Sequence, residues 1–295
     1  DAARGVCGYA VPLAAPSGLG HNRSFMQLPG AIILAAGRGR RLGALTRARP
    51  KCLLRVGTRT LLEHQLAALT EVGLKRVAVV NGFAGERVRQ VGGPRLTYIV
   101  NKRSRVTNSF YSLWLAREAA RDGFLLLNAD VLFPPELLIR LLDSPYPDAL
   151  SVERRERFGE EEMKVELRGD RVVALSKELE PPRAHAENVG VAKFSRGGAA
   201  ALFATMESLL ARPGCRAERE LTPFAFNALA QHHLLHAVVI NGIPWVEIDF
   251  VADLRRARRE ILPTLKACGA ARVLPVPSPP AAVRTSGRSV AGVEP

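Results

Sequence analysis

Short apolar runs alternate with segments of helical periodicity from residue 31 to residue 142, and this alternation constrains the fold more than any other feature. A short apolar run is typical of a buried strand, whereas apolar residues repeated every three or four positions indicate one face of a helix. The pattern predicts strands at 31–35, 76–80, 96–100 and 124–127, and helices at 61–72, 84–91, 108–120 and 135–142. Strands separated by helices usually pair in parallel, so we expect an α/β fold with a Rossmann-like, doubly wound, mostly parallel sheet.

The pattern changes after residue 148, where strands follow one another more closely. We expect strands at 149–153, 163–167, 171–176, 189–194 and 235–239, and helices at 198–210, 223–232 and 250–261. The sequence Arg168-Gly169-Asp170 has the composition of a hairpin turn. This half of the chain predicts a smaller β region added to the parallel sheet.

The two ends of the chain differ in composition from the middle. Residues 1–29 lack periodicity and are rich in Gly, Pro and Ala, which predicts a flexible N-terminal extension, with Met26 as a candidate natural start. Residues 267–295 are rich in Pro, Arg and Ser, which predicts a disordered C-terminal tail. The folded domain is therefore expected to span residues 30–266.

Bulk composition narrows the class of protein. The formal charge of +14 is typical of proteins that bind nucleic acid. The basic residues are scattered, however, and no zinc-finger spacing accompanies them, so no nucleic-acid partner is predicted. No run of about 18 apolar residues occurs, so no membrane span is expected. No C-x-x-C pair is present, so the cysteines indicate neither a disulfide framework nor a zinc site. Because unpaired cysteines fit a reducing compartment, we expect a cytoplasmic location. The four cysteines are Cys7, Cys52, Cys215 and Cys268.

A small-residue loop with arginines follows the first predicted strand. Small residues allow backbone N–H groups to approach phosphate oxygens, and Arg41 and Lys51 would supply positive charge. Leu42 stands at the third position of a G-x-G-x-x-G pattern, so neither that fingerprint nor a P-loop is present. The alternative is a basic surface turn. The candidate nucleotide-binding positions of this loop are Leu34, Ala35, Ala36, Gly37, Arg38 and Gly39.

Two aspartates are candidates for a metal site. Asp130 follows Ala129 after the strand at 124–127, where it would face the ligand crevice of an open α/β sheet. Mg²⁺ bound to a nucleotide typically takes one or two carboxylates, and Asp249 in the segment 245–254 is the second candidate. Asp249 is also expected to cap the last helix, and Asp253 either points back toward the site or is solvated. Mg²⁺ is therefore the predicted cofactor.

The stretch 34–53 resembles the signature of the nucleotidyltransferase superfamily that activates sugar phosphates and phosphocholine, except that Ala44 stands where Pro is usual. The segments 101–113 and 245–254 are similar to the phosphocholine and phosphonate cytidylyltransferase branch, with Ser109 in place of a second Asn. The resemblance implies a GT-A-like fold and an acceptor that attacks the α-phosphorus of a nucleoside triphosphate. It implies catalytic roles for Arg41, Lys51 and Lys177, nucleotide contacts at Asn108, Ser109 and Ala129, acceptor contacts at Lys164, Glu187, Glu218 and Trp245, and metal ligation by Asp130 and Asp249.

The expected reaction is Mg²⁺-dependent transfer of CMP from CTP to a small phosphate or phosphonate, such as phosphocholine or a 2-aminoethylphosphonate-like compound, with release of pyrophosphate. The stretch 217–221 lacks the Tyr-Trp-Asp type of sequence that the branch uses for choline, which weakens phosphocholine specifically. A sugar 1-phosphate or inositol phosphate with another nucleoside triphosphate, a non-catalytic nucleotide-binding module, and a homodimer all stay open.

Overall fold

The computed structural model describes residues 30–265, so the predicted extension, the predicted tail, Cys7 and Cys268 lie outside the described residues. Cys52 and Cys215 are free thiols. The strands are β1 Ala31–Ala35, β2 Arg55–Val56, β3 Arg59–Thr60, β4 Val77–Asn81, β5 Thr97–Val100, β6 Phe124–Asn128, β7 Val131–Leu132, β8 Ala149–Arg154, β9 Lys164–Arg168, β10 Arg171–Ser176, β11 Ala186–Phe194, β12 His236–Val239 and β13 Val246–Glu247. The helices are α1 Leu61–Glu71, α2 Gly85–Gly92, α3 Ser109–Leu115, α4 Arg117–Ala120, α5 Pro135–Asp143, α6 Arg196–Ala211, α7 Thr222–Leu229 and α8 Val251–Arg256.

Nine strands form one sheet in the order β5-β4-β1-β6-β11-β8-β12-β10-β9. The first four are parallel to one another, as the alternating pattern predicted, so β1, β4 and β6 all end at one edge of the sheet. The later strands extend this same sheet, with β11 antiparallel to both β6 and β8. The predicted smaller β region is therefore a continuation of the sheet, whose added half is mainly antiparallel; β8 and β12 are its parallel pair.

Helices cover both faces of the sheet, which explains why β1, β4 and β6 are buried along almost their whole length, whereas the edge strand β5 is partly exposed. Successive residues of β1 alternate between two hydrophobic clusters: Ile32 packs with α3, α6 and α7, whereas Ile33 packs with α1 and α5. Helix α1 begins at a capping box, in which Thr60 and Glu63 satisfy each other's backbone N–H groups.

Most predicted elements are present with ends shifted by a few residues. The predicted helix 108–120 is two helices, α3 and α4, separated at Ala116. The last helix begins at Val251 and continues through a π-helical turn at Ala257–Ile261. Two features lacked a sequence signal: the β2–β3 hairpin and the pairing of β7 with β13.

A third hydrophobic cluster lies beside the hairpin and joins distant parts of the chain. It packs the loop after β1, the hairpin, the β7–β13 pair and α8 together, and we call it the backing cluster. Its buried members are Leu42, Leu54, Val56, Leu61, Leu132, Val246, Ile248, Leu254, Ala257 and Ile261.

Candidate active site at the carboxyl edge of the sheet

The small-residue loop lies between the end of β1 and a 3-10 turn at Arg40–Thr46. Gly39 has a φ of +68°, and a Cβ atom there would come within 3.0 Å of the Cβ atom of Lys51. The Gly39 carbonyl accepts hydrogen bonds from the Leu42 N–H at 3.1 Å and the Thr46 hydroxyl at 2.6 Å. Glycine is therefore required at position 39 for both its backbone conformation and the close passage of Lys51.

Lys51 connects the two predicted metal ligands. Its ammonium group donates to the carboxylate of Asp130 at 2.7 Å and to the carboxylate of Asp249. Burial lowers the pKa of Lys51, but the two carboxylates outweigh it and hold the pKa above its usual value, so the ammonium stays charged. Three residues that are far apart in sequence thus meet in one partly buried ionic cluster.

Backbone pairing explains how the two aspartates come together. Asp130 lies in the turn between β6 and β7, and Asp249 follows β13, which is antiparallel to β7. The Ile248 N–H donates to the Asp130 carbonyl at 3.0 Å and extends this pairing. From α1, the buried Gln65 amide donates to the carbonyls of Asn128 at 2.8 Å and Val131 at 2.9 Å, so it holds the Asp130 turn from below.

Asp253 determines the conformation of the second carboxylate segment. One Asp253 oxygen accepts from the backbone N–H groups of Asp249 at 2.9 Å and Phe250 at 2.7 Å. The helix begins after Phe250, so the expectation that Asp249 caps it is wrong: Asp253 satisfies the donors at the start of the helix. This leaves the Asp249 side chain to face Lys51 and Arg41.

Glu247 is a third carboxylate that the sequence reasoning missed. Oxygens of Asp130, Glu247 and Asp249 lie within 4.8 Å of one another. Burial, with Asp130 as the next cause, raises the pKa of Glu247 above its usual value. Glu247 and Asp249 are two positions apart in an extended segment, so their side chains lie on one side of it, and this spacing was the available signal.

The carboxylate cluster suits a divalent cation. Asp130 Oδ1 is buried and has no hydrogen-bond partner among residues 30–265, while its Oδ2 contacts Lys51. Buried carboxylate oxygens are normally satisfied, and carboxylates are the hard oxygen donors that Mg²⁺ takes from proteins. A divalent metal is typical of this kind of site, and Asp130, Glu247 and Asp249 are the residues positioned to hold it.

Glu161 joins two of the predicted catalytic cations. Arg41 donates to Glu161 Oε2 at 2.8 Å and to Asp249 Oδ2 at 2.9 Å. Lys177 donates to the same Glu161 oxygen, also at 2.8 Å. The Lys164 ammonium instead donates to the backbone carbonyl of Lys177. Arg41 and Lys177 therefore face a common point, and Lys164 holds the strand end that carries Lys177.

Two predicted acceptor residues share Arg155. The Arg155 guanidinium contacts Glu187 at 2.7 Å and Glu153 at 2.7 Å, and lies over the Trp245 ring at 5.8 Å. Burial raises the pKa of Glu187 to about 7, against the opposing effect of Arg155. Carboxylates and an aromatic face thus surround one cation beside the metal-ligand candidates, since Glu187 is close enough to Glu247 to raise its pKa.

The predicted nucleotide segment lies at the start of α3. The Asn108 side chain accepts from the Ser109 N–H at 2.9 Å, and the Ser109 hydroxyl accepts from the Thr222 N–H at 2.8 Å. The Asn108 N–H donates to the Glu218 carbonyl at 2.8 Å, so Glu218 lies beside this segment. Ala129 stays next to the small-residue loop, because its N–H donates to the Leu34 carbonyl at 3.3 Å.

Two neighbouring residues complete the loop's surroundings. The Arg38 guanidinium lies 4.5 Å from the centre of the Phe83 ring, at the edge of the loop after β4. Gly37 has open space where a side chain would project. The outer side of the loop is therefore accessible to a ligand, whereas its inner side rests on Lys51.

Comparison with known proteins places these features in a family. The sequence model of the MobA-like NTP transferase domain matches residues 31–217. The CMP-5'-(3-aminopropyl)phosphonate synthase of Streptomyces rubellomurinus is 39% identical over 129 residues, covering 42% of this chain and 20% of that protein. The CTP:phosphoglutamine cytidylyltransferase of Campylobacter jejuni is 24% identical over 246 residues, covering 76% of this chain and 97% of that protein.

A solved structure confirms the fold. The inositol-1-phosphate CTP transferase from T. maritima superposes with a TM-score of 0.66 at 22% identity, covering 80% of this chain and 98% of that one. The chain spans a fifth of the length of the phosphonate synthase and about half that of several other curated relatives, but nearly the whole length of the phosphoglutamine cytidylyltransferase. In the part of the chain that the structure describes, every helix is too short or too polar to cross a bilayer.

Proposed function

This chain belongs to the MobA-like NTP transferase domain family, and on that premise we propose that it transfers CMP from CTP to a small phosphonate or phosphate that carries a cationic amino group. The observation that carries the proposal is the convergence of Arg41 and Lys51 with three carboxylates below the small-residue loop. Such an arrangement supplies the positive charge and metal ligands that a transferred nucleotidyl group requires.

The proposed reaction is an in-line displacement. An oxygen of the acceptor's anionic group forms a bond to the α-phosphorus, and the bond from that phosphorus to the bridging oxygen of the β-phosphate breaks. Pyrophosphate leaves with the electron pair of that bond. The attacking oxygen is already anionic, so no general base is needed, and catalysis depends on position and charge.

The cations divide the work in this scheme. Lys51 and the Arg41 nitrogen that contacts Asp249 stabilise the negative charge on the departing pyrophosphate, whereas the Arg41 nitrogen that contacts Glu161 faces the acceptor. Lys177 orients the acceptor, since its ammonium points toward the same place as Arg41. Asp130, Glu247 and Asp249 would hold Mg²⁺, which when bound withdraws charge from the phosphates.

The acceptor's amino group is the finer part of the proposal. Glu153, Glu187 and Trp245 surround the Arg155 guanidinium with two carboxylates and a ring face, the groups with which proteins recognise alkylammonium ions, so the acceptor's amino group would take the place of that guanidinium. The 39% identity to an aminopropylphosphonate CMP synthase supports the same class. An uncharged sugar or inositol phosphate would not use these carboxylates as a counter-charge.

The test is a pyrophosphate-release assay with Mg²⁺ and each of the four nucleoside triphosphates. The acceptor panel is 2-aminoethylphosphonate, 3-aminopropylphosphonate, phosphocholine, inositol 1-phosphate and glucose 1-phosphate. We expect the highest kcat/KM with CTP and an aminoalkylphosphonate. Preference for a sugar or inositol phosphate with another nucleotide would overturn the acceptor class. Nucleotide binding without turnover for any pair would indicate a non-catalytic module.

A further inference from the structure

Glu161 is an exposed carboxylate in a position that the reaction scheme leaves without a role. It lies in the loop between β8 and β9, residues 155–163. One of its oxygens accepts from both Arg41 and Lys177, at 2.8 Å each. These contacts hold the pKa of Glu161 below its usual value, with Lys177 the main cause. Glu161 is therefore an anion that bridges the two cations expected to face substrate anions.

The contacts of Glu161 are too exposed to be needed for folding. Its side chain is 58% exposed, those of Arg41 and Lys177 are 45% and 34% exposed, and the Lys51 side chain nearby is only 11% exposed. Ion pairs in water contribute little to stability and break at small cost. The Glu161 contacts can therefore open to admit another anion without disturbing the buried cluster.

The start of the same loop is fastened more firmly. Arg155 is held by Glu153 and Glu187 and lies over Trp245, which are the groups assigned above to the acceptor's amine. From this anchor the loop crosses to the cation pair and returns at Lys164, where β9 begins. Because Arg155 holds the start of this loop in place, Glu161 lies at the acceptor half of the site.

We propose that Glu161 is a specificity-determining residue that occupies the place of the acceptor's anionic group between Arg41 and Lys177, and that an acceptor binds by displacing it. That the displacing ligand is an acceptor rests on the proposed function. That Glu161 can be displaced rests on the exposed contacts of its Oε2 atom with Arg41 and Lys177. A phosphonate presents three oxygens to the same pair of cations, so it can replace both contacts that the Glu161 carboxylate makes.

The direct test compares Glu161→Gln with Glu160→Gln in the full chain. Both variants remove one negative charge from the loop, but Glu160 makes no contact with Arg41 or Lys177 among the described residues. Binding of methylphosphonate and of inorganic phosphate is measured by calorimetry without nucleotide. We expect E161Q to bind both probes about two- to tenfold more tightly than the unmodified chain, as the loss of two exposed ion pairs implies. E160Q is expected to match the unmodified chain.

A double variant, Glu161→Gln with Lys177→Met, is compared with Lys177→Met alone in case the loop rearranges. Because only Arg41 is freed in that background, the gain in affinity from E161Q must be smaller there than in the unmodified chain. Once an acceptor is known, E161Q should lower its KM by a similar factor and leave kcat nearly unchanged. Equal or weaker probe binding by E161Q than by E160Q would overturn the proposal. Tighter probe binding without turnover for any substrate pair would uphold this inference while refuting the proposed function.

Discussion

Replacing Gln65 with methionine removes both hydrogen bonds that hold the Asp130 turn. The Gln65 side chain is 1% exposed, and its amide nitrogen donates to the carbonyls of Asn128 and Val131, on either side of Asp130. Methionine has a similar length and no donor, so it fills the space while leaving two buried carbonyls without partners. The substitution therefore isolates what the amide does for the turn.

The expected loss of stability follows from the groups left behind. Each buried carbonyl that loses its donor costs about 1 to 3 kcal/mol. Methionine also removes the Gln65 amide oxygen, which is buried without a partner among the described residues and whose removal returns about 1 kcal/mol. The two carbonyls together cost about 2 to 6 kcal/mol, so the net loss in the free energy of unfolding is about 1 to 5 kcal/mol. Because Asp130 is held by this turn, metal affinity and kcat/KM should fall about 10- to 100-fold.

The measurement is urea unfolding together with metal titration, using Gln231→Met as a matched control. Gln231 also donates to two backbone carbonyls, those of Val173 and Asn227 at 3.1 Å each, but it is exposed. Water can replace its hydrogen bonds, so Q231M should cost less than about 0.5 kcal/mol and leave metal affinity unchanged. Equal losses in the two variants, or normal metal affinity in Q65M, would refute the reasoning.

Three further predictions concern other parts of the site and the core. Gly39→Ala should lower the free energy of unfolding by about 1 to 2 kcal/mol and abolish most of the turnover. Gly169→Ala, where φ is +63° and the space is open, should lower the free energy of unfolding without changing turnover; urea unfolding and pyrophosphate release distinguish the two variants. Asp249→Asn should lower kcat/KM at least about 100-fold and weaken Mn²⁺ binding measured by electron paramagnetic resonance; unchanged Mn²⁺ affinity would contradict its assignment as a ligand. Burial lowers the pKa of Lys193 from 10.5 to about 8, so its buried charge penalises folding below pH 8. That penalty disappears between pH 8 and 10.5, where the unfolded chain binds more protons, so stability relative to Lys193→Met should rise by up to about 3 kcal/mol in urea titrations.

The sequence predicted the part of the fold that local patterns determine. Buried parallel strands are apolar on both faces, so β1, β4 and β6 were readable as short runs, and the glycine loop followed from its position after β1. The mainly antiparallel extension was predicted only as an added smaller β region, without its strand order. Which strand pairs with β6 depends on contacts across the chain, and alternating residues do not encode the partner.

The charged residues of the site could be predicted from the sequence, but many of the contacts between them could not. Lys51 and Asp130 were found because they follow a proline and a strand, and Asp249 was found as an acidic residue in the segment 245–254 before the last predicted helix. The structure brings the three together. Gln65 was missed because a buried glutamine on an apolar helix face has no pattern of its own. Glu161 was missed because its partners lie at the ends of other elements, a relation that only the folded chain creates.

The backing cluster also fixes when the site can exist during synthesis. Lys51 and Asp249 are 198 positions apart, and ribosomes add roughly 5 to 20 residues per second, so about 10 to 40 s separate the two residues on a growing chain. The glycine loop is made before that interval and Asp130 within it, but the helix that completes the backing cluster follows only at its end. A nascent chain therefore has no complete metal site until α8 docks, and protein released before that point would carry a finished parallel sheet without the capacity to consume nucleotide.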